Sequence, residues 1–164
     1  MRKAGSTRTA RWIAAPVETV FRAFLDPYAL QSWMAPGDMV GRIHDFSPRV
    51  GGGYEMSLFY PTSLADARGK TSQHEDRFTS RFIEIDPPKR IVQVISFDTS
   101  DPELLGEMTM EVTLEKDERG TTVTIAFENI PPGIRPEDND LGTRLSLEKL
   151  DRLIGAQPNP EEGP

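Results

Sequence analysis

The sequence contains no cysteine, and this absence removes a disulfide framework, a thiolate metal site and a cysteine nucleophile together. Histidine is nearly as scarce, with two in 164 residues, His44 and His74. Long apolar runs are missing as well. No stretch approaches the roughly 18 residues that a bilayer span requires, and the mean hydropathy is −0.47. The first ten residues carry Arg2, Lys3 and Arg8 but no apolar run of signal-peptide length, so a cytoplasmic location is expected. Basic residues are in deficit, 19 against 26 acidic for a formal charge of −7, and a nucleic-acid partner, which needs clustered cations to displace counterions, is not expected.

What remains is the composition of one globular domain. A chain of 164 residues can bury roughly two thirds of its unfolded surface around a single core. Residues 157–164 are Pro, Gly, Asn, Gln and Glu with nothing to bury and read as a disordered tail. Residues 1–6 read as a flexible N-terminus, leaving 7–156 as the domain.

Periodicity divides that domain into two kinds of segment. In residues 7–13, Thr7, Thr9 and Arg11 alternate with Arg8, Ala10 and Trp12, which predicts a strand. Pro16 then opens a short helix, where a missing N–H costs nothing. Val17, Val20, Phe21, Phe24 and Leu25 form its apolar face until Asp26-Pro27 stops it. A second short helix over 27–34 presents Tyr28, Leu30, Trp33 and Met34. From residue 39 onward the period is two, with strands expected at 40–47, 54–60, 73–85, 90–98, 107–116 and 121–128. Turns fall at Gly51-Gly52-Gly53, Asp86-Pro87-Pro88 and Asp117-Glu118-Arg119-Gly120. Met108, Met110, Val112 and Leu114 oppose Thr109, Glu111, Thr113 and Glu115, the signature of a sheet wet on one face and covered on the other. The cover is a helix expected over 141–154 after an acidic linker: Thr143, Leu147, Leu150 and Ile154 share one face, and Leu141 and Leu145 lie nearly opposite.

These segments carry a family resemblance. Residues 15–27, Ala-Pro-Val-Glu-Thr-Val-Phe-Arg-Ala-Phe-Leu-Asp-Pro, with Leu30 and Trp33 behind them, resemble the opening of the SRPBCC superfamily of START-like, helix-grip proteins. Within it the chain is similar to the activator of heat-shock-protein-90 ATPase homologues. Arg49-Val50-Gly51-Gly52 resembles that branch's Arg-Pro-Gly-Gly turn. Residues 84–92 resemble its Glu-Ile-Asp-Pro-Pro-x-Arg-Leu-Val hairpin, and residues 142–150 its closing Gly-Trp-x-x-Ser-Leu-x-x-Leu helix. The resemblance implies an α+β helix-grip fold: a curved antiparallel sheet of six to seven strands wrapped around a long C-terminal helix, two short helices after strand one, and a cavity between sheet and helix. One departure stands out. Thr143 occupies the place of the family's Trp, on the face turned to the sheet, and an aromatic ring missing there is expected to enlarge the cavity unless a neighbour such as Met34 or Phe97 fills the space.

Few residues suggest chemistry. His44 and His74 could serve as polar anchors or a general base if they faced inward, but a lone strand histidine more often sits on the wet face or is satisfied in the core. His74, Glu75 and Asp76 are consecutive, and strand neighbours point to opposite faces, so no metal is expected. No Gly-x-Ser-x-Gly elbow occurs. Gly51-Gly52-Gly53 leads into a strand, not a helix, and is a hairpin turn instead of a phosphate cradle. No catalytic residue and no cofactor are assigned. Tyr54, Met56, Leu58 and Tyr60 alternate along one strand, and Met108 and Met110 along another. Each alone would usually be ordinary core, but as a set beside an expected cavity, with Trp33, Phe97, Thr143, Leu147 and Leu150, they are the expected lining.

The leading expectation is non-catalytic binding of a small hydrophobic or amphipathic molecule. A cyclase- or hydratase-like enzyme would instead need His44, His74, Asp76 or another acid turned into the cavity. A chaperone-partner module is the third reading. In the eukaryotic namesake that role involves an additional N-terminal domain, whereas the helix-grip pattern here starts within a few residues of Met1, so this role is expected least. Leu141 and Leu145, with aromatic residues near the N-terminus, could form an apolar patch that pairs two copies as a homodimer.

Overall fold

A computed structural model describes residues 5–60 and 75–155. Its elements follow in the order β1 (Gly5–Ile13), α1 (Val17–Ala23), α2 (Pro27–Trp33), β2 (Val40–Phe46), β3 (Gly53–Phe59), β4 (Glu75–Asp86), β5 (Arg90–Phe97), β6 (Met108–Asp117), β7 (Gly120–Ile130) and α3 (Pro136–Ile154). All pairings are antiparallel, and the seven strands lie in the order β1-β7-β6-β5-β4-β3-β2. Six consecutive strands thus form a meander, and β1 closes the far edge against β7. The two short helices bridge the sheet from β1 to β2, and α3 lies across its inner face, giving the α+β helix-grip arrangement.

Local chemistry accounts for the boundaries. Asp26 caps α2, its side chain accepting from the Tyr28 N–H at 2.9 Å, with Pro27 at the first helical position. The acidic stretch expected to be a linker before α3 is its first turn instead. Pro136 opens the helix, and Glu137 and Asp138 complement the positive end of its dipole. Leu141 and Leu145 stand inside the helix, Leu141 exposed and Leu145 half-buried. Gly5 and Ser6, expected to be flexible, extend β1, with Gly5 opposite Ile130. The tail expected over 157–164 and the start of the strand expected from 73 lie outside the described residues.

The inner face carries the core. Alternate residues of β6 (Met108, Met110, Val112, Leu114) and β7 (Val123, Ile125, Phe127) are buried, and Leu147 and Leu150 of α3 close over them. Polar ties fix the helix to β1: Thr9 Oγ1 donates to Asp140 at 2.6 Å, Asn139 Nδ2 to Thr7 Oγ1 at 3.0 Å, and Arg11 Nε pairs with Asp151 at 2.9 Å. No helix among the described residues is long and apolar enough to cross a membrane.

The Gly51-Gly52-Gly53 turn has a steric reason at its last member. A Cβ on Gly53 would stand 1.9 Å from the Ser80 carbonyl oxygen of the neighbouring strand, a backbone atom that cannot swing aside. Gly53→Ala should therefore lower stability by about 2–3 kcal/mol, in the range of overpacking penalties. Chemical denaturation measures it, and an alanine variant as stable as wild type would contradict the β3–β4 register.

Candidate functional site

One end of every strand from β3 to β7 is packed core, and the other end lines a cavity of about 220 Å³ under the N-terminal half of α3. On β4, Ser80 and Phe82 belong to the core and Asp76 and Phe78 to the cavity; on β6, Val112 and Leu114 belong to the core and Met108 and Met110 to the cavity. The same division runs along α3, where Leu147 and Leu150 pack on the core while Asn139, Gly142, Thr143 and Ser146 face the space. Its rim includes Pro36 of the α2–β2 loop, Gly142 and the exposed Asp138.

Of the residues expected from the sequence, Trp33, Leu58, Phe97, Met108, Met110 and Thr143 are brought together around this cavity. Tyr54, Met56, Leu147 and Leu150 point to the same side but lie further along their elements, packed in the core. Tyr60, just beyond β3, does not itself border the cavity; its hydroxyl donates to Oδ2 of the lining residue Asp76 at 3.0 Å. Burial, and then the adjacent Asp76 charge, raise the pKa of that hydroxyl well above the ordinary tyrosine value, so it keeps its proton and remains a donor.

His44 stands on the other face of the sheet and cannot anchor a ligand in the cavity. Its strand changes parity at Asp45, where a bulge with φ of 46° turns Phe46 inward against Tyr54 and leaves Arg42 and His44 outward, His44 opposite Glu55. There Ser57 Oγ donates to Glu75 Oε2 and accepts from His44 Nε2 at 3.0 Å. His74, the other expected anchor, lies outside the described residues. Among the described residues no group of three or more His, Asp or Glu gathers to hold a metal ion.

A buried polar group sits behind the cavity wall. Gln93 Oε1 accepts from the Tyr54 hydroxyl at 3.0 Å and from Ser80 Oγ at 2.6 Å, and Met34 Sδ, whose side chain lines the cavity, is 3.7 Å from the same tyrosine oxygen. Burial raises the Tyr54 pKa, with Ser80 opposing the rise. The sequence signal for Gln93 and Ser80 is their phase: Gln93 alternates with Ile91 and Ile95, and Ser80 with Phe78 and Phe82. Asp76 continues the phase of Phe78 and Phe82, and is 1% exposed.

Thr143 borders the space directly. Its hydroxyl turns back to the Asn139 carbonyl at 2.8 Å, and neither Met34 nor Phe97 has closed the gap, since both line it.

Comparison with known proteins adds the following. Residues 14–155 match the family described as Activator of Hsp90 ATPase homolog 1-like protein. Protein CV1439 from Chromobacterium violaceum is 35% identical, over 93% of this chain and 98% of that one, with a TM-score of 0.80. Ms6760 from Mycobacterium smegmatis, at 17% identity over 90% and 89% of the chains (TM-score 0.71), shares the fold. So does CalU16 from Micromonospora echinospora, at 17% over 96% and 78% (TM-score 0.62). No curated protein matches the chain.

Proposed function

Because this chain belongs to the Activator of Hsp90 ATPase homolog 1-like family, a family of helix-grip domains, we propose that its cavity holds a small hydrophobic or amphipathic molecule without transforming it. The observation that carries the reading is the cavity of about 220 Å³ at one end of the inner sheet face, walled mainly by aromatic, methionine and aliphatic side chains. Such walls with few polar groups are the usual character of small-molecule sites. A cavity of about 150 Å³ takes benzene, so this one suits a single or fused ring system or a medium-length acyl chain.

A catalytic reading would draw on Asp76, the buried carboxylate of the lining. A proton-transfer mechanism also needs an acid that gives up its proton near neutrality. Tyr60, bonded to Asp76, has its pKa moved the wrong way for that, and His44 is on the opposite face. Among the described residues, binding is therefore the better-supported reading.

The test is titration with N-phenyl-1-naphthylamine, an uncharged dye that fluoresces in apolar surroundings. Saturable one-to-one binding in the micromolar range is the expected result. Fluorescence that rises linearly without saturation would sink the proposal.

A further inference from the structure

Met34, the residue that ends α2, is fixed at its backbone and adaptable at its tip. Its N–H donates to the Leu30 carbonyl at 3.0 Å, and its own carbonyl accepts from Ser146 Oγ of α3 at 2.7 Å. Beyond that anchor runs an unbranched thioether, which borders the cavity on one side. On its other side Sδ stands 3.7 Å from the Tyr54 hydroxyl, a weak contact for a thioether acceptor. Tyr54 is 3% exposed and is not part of the lining; the same holds for Ser80 and Gln93, each 1% exposed. These three stand one step along the strands from the cavity wall. Ser80 pairs with Tyr54 on β3 and with the lining residue Ile95 on β5, and Gln93 pairs with the lining residue Met110 on β6.

We propose that Met34 is the partition between the cavity and a deeper compartment at Tyr54, and so sets the length of the apolar tail that the protein accepts. The proposal rests on the binding reading above and adds to it a specificity-determining residue. Removing Cγ, Sδ and Cε from Met34 extends the space to the Tyr54 hydroxyl, and the surroundings are held too firmly to collapse into it. The Tyr54 ring is stacked on Phe46 at 5.5 Å and packed against Phe82 at 5.9 Å, and its hydroxyl is tied to Gln93 at 3.0 Å. The backbone of residue 34 stays where Ser146 holds it. An alkyl tail in this compartment meets the hydroxyl as the thioether does now. The hydroxyl proton remains with Gln93, so the tail leaves no buried polar group without its partner.

Straight-chain primary alcohols from pentanol to undecanol, each competed against N-phenyl-1-naphthylamine, measure the depth of the site. In the wild type each added methylene should tighten binding about fourfold while it is buried, until the tail meets Met34 and the gain stops. In Met34→Ala the gain should continue for about two more carbons, leaving the longest alcohols roughly tenfold tighter than in the wild type and the shortest little changed. Tyrosine labelled with 13C at Cζ locates the added contact. With undecanol bound to Met34→Ala the Tyr54 signal should shift, and that of Tyr28, which is exposed, should not. If the alanine variant fails to fold, Met34→Val, which removes less of the side chain, is read by the same criteria. A gain that stops at the same carbon in variant and wild type, or that lengthens without moving the Tyr54 signal, overturns this inference and leaves the binding function standing. Failure of the dye to bind the wild type overturns the binding function, and this inference with it.

Discussion

Thr143→Trp should abolish binding of N-phenyl-1-naphthylamine, weakening it by at least tenfold, and leave the fold in place. Thr143 is 8% exposed and sits on the buried face of α3 with Ser146, Leu147 and Leu150, against the cavity. An indole ring is larger than benzene, which occupies a cavity of about 150 Å³, so it would take up most of the roughly 220 Å³ available. What threonine loses is a hydroxyl bonded back to the carbonyl one turn earlier, a contact that contributes little to helix stability. Filling empty space with apolar surface stabilises, and any misfit of the ring costs up to about 3 kcal/mol, so the melting temperature should stay within several degrees of wild type. Dye titration and a thermal melt on the same preparation read both halves. A folded Thr143→Trp protein that binds the dye as wild type does would place binding elsewhere.

Trp33→Ala should have the largest effect on stability, a loss of about 4 kcal/mol, within the range for buried tryptophan truncations. The side chain is 1% exposed, its ring meets Phe24 edge-on at 4.8 Å, and its Nε1 donates to the Ala23 carbonyl at 2.9 Å. The substitution removes apolar burial, an aromatic pair and the donor to a buried carbonyl oxygen at once. Because Trp33 also borders the cavity, its loss enlarges the void instead of letting the neighbours collapse into it. Against a typical total of roughly 5–15 kcal/mol such a loss brings the domain close to unfolding at ambient temperature. Urea denaturation gives the value, and a loss below about 1 kcal/mol would mean that Trp33 is not held as described.

The fold was legible because its elements announce themselves locally. Period two in residues 107–116 and 121–128, Pro16 and Pro27 opening the short helices, and glycine-rich or proline-rich turns between strands each correspond to an observed boundary within two residues. The site was legible only by face. Alternation places Tyr54, Met56 and Leu58 on one side of β3 but is blind to distance along the strand, and that distance decides that Leu58 borders the cavity while Tyr54 and Met56 fill the core. Thr143 and Leu147 differ in the same way along α3. His44 escaped even the assignment of face, because one left-handed residue, Asp45, reverses the parity between His44 and Phe46. Gln93 and Ser80 went unread since polar residues in phase with apolar ones look like interruptions until their mutual hydrogen bonds are seen.

The methionines offer the most direct test of where a ligand sits. Six occur in the chain; Met34, Met108 and Met110 line the cavity, whereas Met56 is packed in the core and Met39 lies outside the lining. With 13C-methyl-labelled methionine, adding N-phenyl-1-naphthylamine should shift the Met34, Met108 and Met110 methyl signals through ring currents and leave Met39 and Met56 nearly unmoved. Shifts confined to Met39 or Met56, or no shift in any methionine under saturating dye, would contradict the claim that the space between sheet and helix is the binding site.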